Sequence, residues 1–114
     1  YGDAIPGVNP LFPEVQELSN APRLGYGLVI NPVTSEIENI AYLRKLLNKH
    51  QIPWQTGEFG KSPGMYAGTL SPFELGMKII YIGIPTLSIH TPFSITSKID
   101  IFATYQGYQV LLSE

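Results

Sequence analysis

The chain has 114 residues, 44% of them hydrophobic, and a formal net charge of −2, which suits one compact domain and is too apolar for intrinsic disorder. That charge leaves no footprint for nucleic acid or an anionic membrane surface, and no apolar run approaches the roughly 20 residues of a membrane span. With no cysteine, disulfides, thiolate metal sites, iron–sulfur clusters and cysteine nucleophiles are excluded.

The chain opens on Tyr1-Gly2-Asp3, with neither an initiator methionine nor a basic-then-apolar leader. Pro6, Pro10, Pro13 and Pro22 predict loop through residue 23, with at most a short helix over 14–18. Residues 24–30 read as a strand, apolar and β-branched at its end and stopped by Asn31-Pro32. Thr34-Ser35-Glu36 opens the clearest helix, predicted over 35–50 by a hydroxyl cap and acids in the first turn. Ile37, Ile40, Ala41, Leu43 and Leu47 form its apolar stripe, and Arg44, Lys45, Lys49 and His50 crowd its last turns.

A strand over 52–57 follows, then a glycine-rich loop over 58–68. A short helix is predicted over 69–76, with Ser71 as cap and Pro72 at its first position. The unbroken apolar run 79–84 predicts a strand buried on both faces, and 87–90 a short extended piece. Thr96-Ser97 caps a closing helix over 98–112, apolar nearly all round and therefore expected to be well buried. Strands alternate with helices, so the predicted class is α/β: a mostly parallel layered sheet with flanking helices. No repeat or linker divides residues 1–114 into domains.

In open α/β sheets ligands gather outside the carboxyl ends of strands. His90 follows a buried strand, between Ile89 and Thr91-Pro92, where a ligand or general base would stand. A half-buried structural histidine is the alternative at that place. Asp3 alone reads as a turn aspartate. Together, one carboxylate and one imidazole suit Zn²⁺, Mn²⁺ or Co²⁺, but a catalytic zinc usually takes three protein ligands. A complete site must therefore draw on residues elsewhere. His50, at a helix C-terminus, reads as structural. No serine stands on a Gly-x-Ser-x-Gly elbow. Gly57, Gly60, Gly64 and Gly68 are too irregular for a P-loop or dinucleotide fingerprint. Tyr105 and Tyr108 on the last helix read as core or interface.

The run Gly83-Ile84-Pro85-Thr86-Leu87-Ser88-Ile89-His90-Thr91-Pro92-Phe93 resembles the terminal metal-binding block of the M18 aminopeptidases. It continues through Ser97-Lys98-Ile99-Asp100 and Thr104-Tyr105-Gln106-Gly107-Tyr108, which are similar to that family's closing helix. Asp3, followed by Asn9-Pro10 and Asn20-Ala21-Pro22-Arg23-Leu24-Gly25, resembles the block holding another metal ligand. The related M42 aminopeptidases share the topology, but the Ser-Lys-Ile-Asp and Asn-Ala-Pro-Arg-Leu-Gly stretches favour M18.

The resemblance implies a zinc-peptidase-like fold, of which residues 1–114 are the C-terminal portion of the catalytic domain. It implies an aminopeptidase that releases N-terminal residues from peptides by a two-metal activated water, the divalent metal being zinc, with cobalt or manganese as alternatives. His90 and Asp3 match metal ligands. Gly68 and Thr69, in what remains of a glycine cluster, match the substrate-binding region. The glutamate base and the other ligands lie N-terminal to the matched region, so the chain by itself is expected to be inactive. The implied partners are a peptide substrate, the remainder of the catalytic domain and further copies in a dimer-based particle, up to a tetrahedral dodecamer. No nucleic acid or membrane is implied, and the expected location is cytoplasmic. Asn31-Pro32 stands where acid-specific members carry a basic loop, which bears on substrate preference more than on fold. A non-catalytic structural or assembly relative is the second reading. A generic small-molecule-binding α/β domain is the third.

Overall fold

The computed structural model describes residues 2–15, 18–32, 35, 37–57 and 78–114. Among them run β1 (Gly2–Pro6), a 3-10 turn (Pro13–Val15), β2 (Leu28–Ile30), α1 (Ile37–Lys49), β3 (Trp54–Thr56), β4 (Ile82–Leu87), β5 (Ile95–Thr96) and α2 (Lys98–Ser113). The predicted loop over 58–68 and helix over 69–76 lie outside the described residues. The strands make one sheet in the order β1-β4-β2-β3, with β5 also on β4. The α/β layering with flanking helices is as expected, while the pairing is mixed. β1–β4 and β2–β3 are parallel; β2–β4 and β4–β5 are antiparallel.

The mixture arises along one edge of β4. Ile82 and Gly83 take β2 there, and Thr86 and Leu87 take β5, so this edge forks at Ile84 and Pro85. Pro85 turns its carbonyl into the fork, where the Thr96 hydroxyl donates to it at 2.9 Å. Its missing N–H falls on the same side and costs no ladder bond, which is how a central strand carries a proline. For that reason the strand runs three residues past the predicted 79–84; it also starts three residues later, at Ile82. The expected extended piece at 87–90 is instead the end of β4 and a turn, with Ser88 and His90 left-handed. β1 also corrects the expectation of loop. It pairs with β4 from Gly2–Ile82 through Pro6–Thr86, and an edge strand tolerates its proline.

Asp100, in the first turn of α2 and fully buried, closes the fork. Its two carboxylate oxygens accept the backbone N–H groups of Gly25 (2.7 Å) and Gly27 (2.8 Å), just before β2. Gly27 has φ +97°, and a Cβ there would fall on the Pro53 carbonyl. The loop is therefore tight enough to present two adjacent donors. Hydrogen bonds to a charged group contribute about 1.5–3 kcal/mol each. Asp100→Ala is expected to lower unfolding free energy by about 3 kcal/mol or more, read as a shifted urea midpoint.

The main core lies between one sheet face and the two helices: Leu28, Ile30 and Ile82 pack with Leu43, Leu47, Ile52 and Ala103. α1 contributes Leu43, Leu46 and Leu47. Ile37, expected on the stripe, is 85% exposed, and Ala41 is exposed too. Ser35 is used across the sheet: its hydroxyl donates to the Asn31 carbonyl at 2.9 Å and accepts the Tyr81 N–H at 2.8 Å. The other sheet face carries a smaller cluster of Ile5, Val29 and Tyr81.

α2 departs from the expected all-round burial. Its inward side is Asp100, Ala103, Thr104 and Gly107, all buried. Ile99, Phe102, Tyr105 and Leu112 are exposed, with the Phe102 and Tyr105 rings stacked 6.4 Å apart. Among the described residues no helix is long and apolar enough to cross a membrane.

Candidate metal centre

Asp3 is the second residue of β1, opposite Gly83 of β4. A Cβ on Gly83 would fall on the Asp3 carbonyl oxygen and within 2.8 Å of the Ile5 side chain, so only glycine lets the two strands approach this closely. The Asp3 carboxylate is held at both ends. Its Oδ1 accepts the N–H of Ala4 at 2.8 Å, and its Oδ2 accepts the phenol hydroxyl of Tyr81 at 2.8 Å. A carboxylate offers about four lone-pair sites, so both oxygens keep capacity for a cation. The charge of Asp3 also reaches Tyr108. Burial first, and then this neighbouring carboxylate, push the Tyr108 phenol above its ordinary range.

His90 stands in the turn beyond the carboxyl end of β4, exposed, with φ +63°. Ser88, two residues earlier, has φ +53°, and its carbonyl accepts the Thr91 hydroxyl at 2.6 Å. Two non-glycine residues in the left-handed region cost free energy that the surrounding structure must offset. Such strain collects at functional sites. Leu87 pairs with Ile95, so residues 88–94 close this turn.

The two predicted ligands are thus attached to the same strand at different ends. Asp3 lies beside the amino half of β4 and His90 beyond its carboxyl end, so only His90 obeys the strand-end rule. The four residue steps from Gly83 to Leu87 span about 13 Å. The described contacts bring Asp3 to Tyr81. Gly68 and Thr69 lie outside the described residues.

The donor types, one carboxylate oxygen and one imidazole nitrogen, fit zinc. Their number falls short of a closed site. Among the described residues there is no group of three or more His, Asp or Glu that could hold an ion. His50 is where a structural histidine was expected, with Nε2 3.3 Å from Glu114 Oε1. Hydrogen bonds from Lys49 and His50 hold the Glu114 carboxyl below its ordinary range. Tyr81 is the site residue that sequence reasoning missed. It looked like one more apolar member of the 79–84 run, and its partner lies 78 positions away.

The family model described as aminopeptidase I zinc metalloprotease (M18) matches residues 2–111. A curated relative from Thermotoga maritima, named "Probable M18 family aminopeptidase 1", is 36% identical over 99% of this chain and 28% of its own length. The crystal structure of aminopeptidase I from Clostridium acetobutylicum superposes with a TM-score of 0.87. It is 36% identical over 97% of this chain and 27% of that one. A more distant structure, a yeast aminopeptidase 1, shares the fold with a TM-score of 0.80 at 20% identity. The chain therefore spans little more than a quarter of the length of the relatives it matches.

Proposed function

Because the chain belongs to the aminopeptidase I (M18) family of zinc metalloproteases, we propose that it supplies part of the metal centre of an enzyme releasing N-terminal residues from peptides. Asp3 would give an oxygen ligand and His90 a nitrogen ligand. The observation that carries this reading is the Asp3 carboxylate, held by two donors on a glycine-tight strand pair yet with coordination capacity left. The strained, exposed turn that presents His90 supports it.

A pair of divalent cations, when bound, polarises the scissile carbonyl and lowers the pKa of the attacking water. The chain's own residues have narrower tasks. Asp3 adds negative charge at a fixed place on β1. His90 adds a neutral imidazole donor at the rim of the sheet. The carboxylate that takes the proton from water is expected outside this chain. We extend the reading to a homo-oligomeric enzyme, supported by the dodecameric assembly described for the yeast relative.

The test uses the intact protein that carries this chain. It should bind zinc by elemental analysis and hydrolyse aminoacyl amides. A chelator should remove both metal and activity, and zinc should restore them. An intact protein with neither metal nor turnover would point to the non-catalytic relative instead.

A further inference from the structure

Tyr81 is fixed on every side. Its N–H donates to the Ser35 hydroxyl at 2.8 Å, and its carbonyl accepts the Asn31 N–H at 2.9 Å. Its ring is buried with Ile5 and Val29. A phenol so anchored has little freedom, and it points its hydroxyl at Asp3 Oδ2. Among the described residues β1 ends the sheet, and Asp3 is itself exposed, so its own packing does little to select a rotamer.

We infer that Tyr81 is a positioning residue for Asp3: its hydroxyl locks the carboxylate in the orientation that a divalent cation requires. The inference rests on Asp3 being a metal ligand. Outer partners of ligating carboxylates fix their geometry, and losing one typically costs about 10–100-fold in metal affinity or activity. The anchor runs from Asp3 through Tyr81 and Ser35 to Asn31, at the end of β2. The carboxylate is thereby referred to a buried part of the sheet.

The experiment measures zinc affinity by chelator competition in the intact protein, with the melting temperature of the metal-free form as a second readout. Tyr81→Phe keeps the ring and removes only the hydroxyl. Zinc affinity should fall about 10–100-fold while the metal-free melting temperature changes little. The same substitution in an Asp3→Asn background should produce no further loss. If Asp3→Asn weakens zinc binding and Tyr81→Phe does not, the positioning role is overturned and the ligand reading stands. If neither substitution changes affinity, both fall together. A Tyr81→Phe effect of equal size in the Asp3→Asn background would also overturn the inference, because the hydroxyl would then act independently of Asp3.

Discussion

Ile82→Asp should leave the chain unable to fold. Ile82 is 1% exposed and lies in the main core with Leu28, Ile30, Leu43 and Leu47. Its strand is the one on which β1, β2 and β5 all pair. Losing the buried side chain removes about 1.5–3 kcal/mol. The new carboxylate would be buried without a partner, a further penalty of several kcal/mol. Together these approach the 5–15 kcal/mol that a typical domain has in total. Circular dichroism should show no cooperative melt. Ile82→Val, which removes one methyl, should cost only about 0.5–1.5 kcal/mol and melt cooperatively. A folded Ile82→Asp protein would mean that the two helices do not depend on β4.

At His90 the expected result has the opposite form: activity is lost and the fold is kept. On the proposed ligand role, His90→Gly in the intact protein should depress turnover by more than the roughly 10–100-fold that losing a ligand's hydrogen-bond partner costs. Zinc content should fall with it. Stability should hold or rise slightly. A left-handed non-glycine residue costs about 1–2 kcal/mol, which glycine relieves, and the side chain is exposed, so no core contact is lost. Asp3→Ala should match the loss of activity without any gain in stability, since Asp3 has no strained φ to relieve. Elemental analysis, aminoacyl-amide hydrolysis and thermal melts on the same samples separate these effects. A His90→Gly enzyme with full zinc and full turnover would make His90 a turn residue and nothing more.

Much of the fold was readable in the chain because its signals are local. Leu43, Leu47 and the basic end of α1, the apolar lead into β4 and the Ser97 start of α2 each fall within one turn or strand. The errors come from residues whose local meaning is reversed by a distant neighbour. Pro6 and Pro85 look like strand breakers, but one lies on an edge and the other in the β4 fork. The apolar circumference of α2 promised burial, yet Phe102 and Leu112 stay outside. Ser35 looked like a cap and is a cross-sheet hydrogen-bonding hub. Asp3 and His90 stood out through whole blocks of sequence, since neither residue type in isolation distinguishes a ligand from a turn. Tyr81 and Asp100 act through partners 78 and 75 residues away, a separation that no periodicity encodes.

Those separations also set an order of events during synthesis. β1 leaves the ribosome about 80 residues before the β4 segment that it pairs with. At roughly 5–20 residues per second, that is a wait of about 4–16 s. Throughout it, the edge of β1 that β4 later covers lacks that partner, a condition under which nascent strands aggregate or recruit a chaperone. Long loop closure makes the pairing slow even once β4 exists. The Asp3 carboxylate therefore takes the orientation that the Tyr81 hydroxyl gives it only after β4 has joined the sheet.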